Sequence, residues 1–214
     1  MKFAKDQLQL YAITDRSWLK GRSLESVVEA ALAGGATMLQ LREKTLSDEE
    51  MLKEALALKP ICARYQVPLI INDRVDIAKR AGADGVHLGQ DDQDLDEARA
   101  ILGPQAIIGV SCHNLNEAKE AWRKGADYLG AGAVFSTSSK DDASALDWQE
   151  LACMTEQIPL PIVAIGGIQT SNVSLLKGKG LAGVAVISAV FAADDICRAT
   201  AELKIKIEEM MRDD

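Results

Sequence analysis

Four times along this 214-residue chain, a helix-like stretch gives way to glycine with a small residue and then to a short Val/Ile/Leu run. The copies read GGATMLQL (34–41), AGADGVHLG (81–89), KGADYLGAG (124–132) and KGLAGVAVIS (179–188). Their starts lie about one or two strand–helix units apart, which marks an internal repeat. Filling the gaps gives eight expected strands, at 8–14, 37–41, 68–72, 85–88, 106–111, 128–133, 161–165 and 183–188. Periodic apolar segments of helix length follow them, at 23–33, 47–66, 74–81, 93–102, 114–124, 147–157, 170–178 and 194–212. Ser47 before DEEM, with Glu50 three residues on, reads as a capping box, and Asn114 opens another helix. Eight alternating strands and helices predict an α/β fold, a closed (β/α)₈ TIM barrel in a single domain. An open doubly wound sheet competes, but Gly130-Ala-Gly132 is followed by Ala-Val-Phe and lacks the third glycine of a dinucleotide fingerprint.

Aromatic residues make up only 4% of the chain, so the core must rest on Ala, Val, Ile and Leu. The formal net charge of −8 argues against nucleic acid or an anionic membrane as partner, and an anionic ligand needs a local cluster of base. Cys62, Cys112, Cys153 and Cys197 form no CxxC pair and read as buried thiols in a reducing compartment. The start, MKFAKDQLQLY, lacks the apolar core of a signal peptide, and the longest apolar run, 181–193, is too short to cross a bilayer. A soluble, cytoplasmic protein is expected. Trp18, Trp122 and Trp148 read as helix packing against the barrel, with a homo-oligomeric interface left open.

In a barrel of this kind, chemistry collects at the carboxyl ends of the strands. The polar residues fall there. The second strand leads into Gln40, Arg42 and Lys44, which share one face if the extended conformation persists. The third ends in Asn72-Asp73, the fourth in Gly89-Gln90-Asp91-Asp92, and the fifth in Ser111. The sixth leads into 136–142, the seventh ends in Gly166-Gly167, and the eighth in Ile187-Ser188. Asp73 and Asp92 follow adjacent strands and suit one hard cation such as Mg²⁺, although each alone would also serve as a helix N-cap. By spacing alone, Asp91 or Asp94 could take the place of Asp92. Arg42, Lys44 and Lys140 supply positive charge suited to a diphosphate. Gly166-Gly167 and the turn after Ser188 suit a second phosphate, held by backbone N–H groups. His87 reads as a satisfied barrel-interior residue, and neither it nor His113 has triad partners, so zinc chemistry and Ser-His hydrolysis are not expected.

QLREK (40–44), IINDRVDIA (70–78), GVHLGQDD (85–92), GVSCH (109–113), TSSK (137–140), AIGGI (164–168) and VIS (186–188) together resemble the thiamine-phosphate synthase family, as does the opening YAITDR (11–16). That resemblance implies a transferase joining a hydroxymethylpyrimidine diphosphate to a thiazole phosphate, with Mg²⁺ as cofactor and phosphorylated small molecules as partners. It implies that Gln40, Arg42, Lys44, Asn72, Ser111 and Lys140 hold the pyrimidine diphosphate, with Arg42, Lys44, Ser111 and Lys140 at the reacting centre. It further implies Asp73 and Asp92 as metal ligands, in preference to Asp91. Thr137 and Ser139 would contact the thiazole, and Gly167, Ile187 and Ser188 its phosphate. The family usually has proline near 133 and 136 and threonine at 139, where this chain has Ala133, Ser136 and Ser139. Lost prolines raise the ordering cost of that loop and bear on turnover rate more than on reaction type. The alternatives are a thiazole tautomerase of the related family and a non-catalytic thiamine-precursor-binding regulator. A sugar-phosphate isomerase or aldolase lacks a strand lysine for a Schiff base here.

Overall fold

The computed structural model describes residues 3–136 and 146–212. Eight parallel strands close into a barrel in sequence order: β1 (Leu10–Ile13), β2 (Met38–Leu41), β3 (Leu69–Asn72), β4 (Gly85–Leu88), β5 (Ile107–Cys112), β6 (Tyr128–Gly132), β7 (Ile162–Ile165) and β8 (Gly183–Val186). The last strand pairs with the first, Tyr11 facing Ala185. Helices α1 (Leu24–Ala33), α2 (Asp48–Tyr65), α3 (Val75–Ala81), α4 (Leu95–Leu102), α5 (Leu115–Arg123) and α6 (Trp148–Gln157) follow the first six strands. After β8 come a short α7 (Ser188–Phe191) and a long α8 (Ile196–Met211).

Most strands are shorter than the sequence suggests. Pro68 and Pro161 accept ladder bonds through their carbonyls, from Leu39 and Leu129, but have no N–H to donate, so β3 and β7 open one residue later. The helix expected over 170–178 is reduced to a 3₁₀ turn, Val173–Leu176. Asn172 there uses its side chain on the Gln169 N–H and the Gly167 carbonyl, at 2.8 and 3.0 Å, instead of capping a helix. Ser188 does not end a strand but begins α7. The expected caps form: Ser47 and Glu50 close a capping box on α2, and the Asn114 side chain accepts from the Glu117 N–H on α5.

Alternation along each strand divides the core in two. Leu10, Leu39, Leu69, Val86, Ile108 and their neighbours face outward and pack under the helices. Tyr11, Met38, Ile70, Ile107, Tyr128 and Val163 face inward and fill the barrel. The 3₁₀ turn Lys5–Leu8 closes the amino-terminal mouth, where Leu8 is fully buried and the Phe3 ring lies 5.9 Å from that of Tyr128. Two expectations fail at the surface. Trp122 is 44% exposed, so it does not pack on the barrel as Trp18 and Trp148 do. Cys197 is exposed, whereas Cys62 and Cys112 are buried and Cys153 is partly so; none forms a disulfide. Among the described residues no helix is long and apolar enough to cross a membrane.

Candidate active site

A cavity of about 460 Å³ opens at the carboxyl ends of the strands. Arg42, Lys44, Asn72, Asp73, Asp92 and Ser111 form one side, and Gly167, Ile187 and Ser188 lie on the other. Gln40 sits lower, on a small void beneath the cavity floor. Thr137, Ser139 and Lys140 lie outside the described residues.

The strand-to-loop transitions explain each placement. The β2 ladder ends at Leu41, and the Thr14 hydroxyl then accepts from the Arg42 N–H at 2.9 Å, prolonging the extended backbone. Arg42 is consequently almost buried at 7% exposure, its guanidinium 3.7 Å from Asp15, while Lys44 is solvent-exposed at the rim. A nearly buried guanidinium has lost hydration that an anionic ligand restores through bidentate bonds.

After β3 the chain turns abruptly. Asp73 takes a left-handed φ of 61°, its N–H donating to the His87 carbonyl at 2.9 Å, and the Asn72 amide donates to Asp73 Oδ2 at 2.5 Å. Aspartate tolerates this region better than most residues, but it still stores strain of about 1 kcal/mol. Asp73 does not cap α3, whose cap position is Arg74 with no side-chain bond. Asp92 Oδ2 accepts the Gly89 N–H at 2.6 Å, which holds the carboxylate at the cavity wall. Asp94 is excluded from that wall: it caps α4 and pairs with Lys124 at 2.8 Å. Asp91 also lines the cavity. Hard oxygen donors from two successive loops are the donor set that magnesium uses, completed by phosphate and water.

The opposite side is built from backbone. Gly166 and Gly167 have φ of 101° and 62°, and a Cβ on Gly167 would lie 2.3 Å from the Ser136 carbonyl oxygen. The segment after β6 crosses directly above them, Val134 and Phe135 donating N–H groups to the Ile165 and Gly166 carbonyls at 2.9 and 3.1 Å. Side chains are shut out of this turn by both conformation and space.

A chain with this barrel and this divided cavity has known relatives. A sequence profile described as thiamine monophosphate synthase matches residues 10–190. A thiamine-phosphate synthase of Chloroflexus aurantiacus is 48% identical over 92% of this chain and 91% of its own. That of Ruminiclostridium cellulolyticum is 45% identical over 95% and 97%. A solved thiamine phosphate pyrophosphorylase from Pyrococcus furiosus superposes with a TM-score of 0.89 at 41% identity, covering 97% of this chain and 98% of its own. The chain belongs to the thiamine monophosphate synthase family.

Membership in the thiamine monophosphate synthase family makes the chain an enzyme, a transferase of thiamine biosynthesis. Hydrogen bonds join the polar groups around and below the cavity. Gln90 reaches across to donate to the Ser111 carbonyl at 2.5 Å. Below the cavity, Gln40 Nε2 donates to the Tyr11 hydroxyl at 2.7 Å, and the Tyr11 and Tyr128 hydroxyls meet at 2.9 Å. His87 Nδ1 lies 2.9 Å from the Tyr128 hydroxyl and His87 Nε2 2.9 Å from Ser111 Oγ. His87 is thus a hydrogen-bonded interior residue, as expected, and also lines the cavity. The tyrosines had one signal in the sequence: two of only three in the chain stand at inward positions of apolar strands.

Proposed function

We propose that this enzyme joins a hydroxymethylpyrimidine diphosphate to a thiazole phosphate, releasing pyrophosphate and forming thiamine phosphate. The observation that carries the reading is the division of a single cavity into a charged side and a glycine-backbone side, in a chain of this family. Arg42 and Lys44, with Lys140, hold the diphosphate, and Gln40, Asn72 and Ser111 hold the pyrimidine end. Asp73 and Asp92 would hold Mg²⁺. When bound, the ion neutralises charge developing on the departing pyrophosphate. Thr137 and Ser139 would contact the thiazole, and Gly167, Ile187 and Ser188 would bind its phosphate through neutral donors, which leaves the positive charge for the diphosphate.

Two bonds change. The carbon–oxygen bond between the pyrimidine methylene and the diphosphate breaks, its electron pair leaving with pyrophosphate. The thiazole nitrogen then forms a bond to that methylene carbon. A cationic methylene, stabilised by the ring amino group, lies between the two events. This route needs no strong protein base. It needs a clamp on the leaving group, a fixed partner nucleophile and a cavity from which water is expelled.

Mixing the protein with both substrates and Mg²⁺ tests the reading. Thiamine phosphate and pyrophosphate should appear together, and formation should stop on chelation of the metal. Arg42→Ala and Asp92→Ala should each lower kcat/KM by roughly 100-fold or more, by analogy with loss of a charge-stabilising donor. Near-normal turnover in both variants would reject the clamp. No product, with both substrates raising the melting temperature, would indicate a regulator; binding of the thiazole phosphate alone would indicate a tautomerase.

A further inference from the structure

The four hydrogen bonds from Gln40 to Ser111 cross the barrel interior in one continuous line through Tyr11, Tyr128 and His87, each between 2.7 and 2.9 Å. Room for the line is cut by glycine. A Cβ on Gly109 would stand 2.0 Å from the Tyr128 ring, and one on Gly130 would stand 3.2 Å from His87 Cε1. Tyr11 and Tyr128 are at most 1% exposed, so an unpartnered hydroxyl proton on either would forfeit a hydrogen bond in a buried interior.

Each phenol has one proton, so with the Gln40 amide placing Nε2 on Tyr11 the direction of the line follows. Gln40 Nε2 is a donor, so the Tyr11 oxygen accepts from it. The Tyr11 proton then has one partner left, the Tyr128 oxygen. Tyr128 must pass its own proton toward His87 Nδ1, which therefore accepts. An imidazole accepting at Nδ1 carries its proton on Nε2 and donates it to Ser111 Oγ. The serine hydroxyl, having accepted, is left to donate into the cavity it lines. A reversed line would need an acceptor at Gln40, a proton on Nδ1, and Ser111 donating inward to Nε2.

We infer that Tyr11 and Tyr128 are positioning residues: they transmit the orientation of the Gln40 amide to His87, set its Nε2–H tautomer, and so make Ser111 a hydrogen-bond donor toward an acceptor atom of the ligand. Neither tyrosine lines the main cavity, so neither acts by contact there. What the acceptor belongs to rests on the pyrimidine diphosphate reading above; the direction of the line does not.

The test is therefore made on the protein without substrates. Long-range ¹H–¹⁵N correlation spectra of ¹⁵N-histidine protein resolve the tautomer of His87, with His113→Gln assigning the two rings. Wild type should show the Nε2–H form. Gln40→Glu replaces the donor with an acceptor, and where its ¹³C carboxyl shift reports ionisation, His87 should switch to Nδ1–H. Adding Tyr11→Phe to Gln40→Glu should abolish the switch, since the line is cut between its ends. Circular dichroism of each variant checks that the barrel is intact, and Tyr11→Leu replaces Tyr11→Phe if that variant does not fold. Three results would overturn the inference: an Nδ1–H or doubly protonated His87 in wild type, no switch with the ionised carboxylate, or a switch that persists after Tyr11 is removed. The last would mean that the carboxylate acts through space.

Discussion

Cys62 and Cys112 are sealed between barrel and helices, and burial pushes both thiols up to about 12. The thiolate is the reactive form, so alkylation near pH 8 should modify exposed Cys197 first and Cys153 more slowly. Cys62 and Cys112 should react only with denatured protein, as peptide mass mapping over time would show. The same shifts link stability to pH. A folded-state value raised above the unfolded one, 9.0, leaves stability intact below pH 9 and removes it as pH rises toward 12. Reduced protein should lose stability across that window, and Cys62→Ala with Cys112→Ala should flatten the loss, measured by urea titration at stepped pH. At this scale the sequence was legible where a polar side chain followed an apolar strand, because solvation alone does not put Arg42, Asp73, Asp92 and Ser111 at one end of a barrel. It was not legible for Tyr11 and Tyr128, whose hydroxyls meet across strands distant in sequence.

Among the elements, β5 and β6 are matched by a missing side chain. Gly109 faces Tyr128 across the ladder, and its Cβ would overlap the ring at 2.0 Å. Gly109→Ala should cost about 1–3 kcal/mol through overpacking, with Tyr128→Leu restoring part of it in a double-mutant cycle by chemical denaturation. The β1 and β8 ends are joined differently. The Arg22 guanidinium donates to the carbonyls of Leu19, Trp18, Phe191, Ala193 and Asp194, tying the loop before α1 to the end of α7. Arg22→Ala should cost on the order of 2 kcal/mol and speed amide exchange in α7 before any other helix. Element type was readable from periodicity for the long segments. The stretch 170–178 misled because Val173 and Leu176 repeat at helical spacing, while the Asn172 side chain is spent on Gln169 and Gly167 instead of a cap, and Gly178, at positive φ, stops extension past Lys177.

Among the described residues the barrel is closed at one mouth and open at the other. Leu8 sits fully buried under the barrel, and a Cβ on Gly183 would lie 2.1 Å from the Leu8 carbonyl oxygen, so the amino-terminal turn is fitted tightly to β8. Leu8→Ala should destabilise by about 2–5 kcal/mol, read as a lower melting temperature with substrate-binding constants unchanged, because the damage lies at the far end from the cavity. Barrel closure was legible because eight strand–helix repeats leave few other topologies; the plug was not, since a four-residue 3₁₀ turn has no periodicity to read. The open mouth carries a consequence for how such a protein can change. One wall of the cavity is written in side chains on β2 to β5, and the other in main chain at Gly166 and Gly167, where no Cβ fits. A single-codon change can alter charge or reach on the first wall. On the second it meets a steric veto. New ligand preferences should therefore arise by drift of the side-chain wall around a fixed main-chain wall, so descendants of this barrel would diverge on one half of the mouth and keep the other.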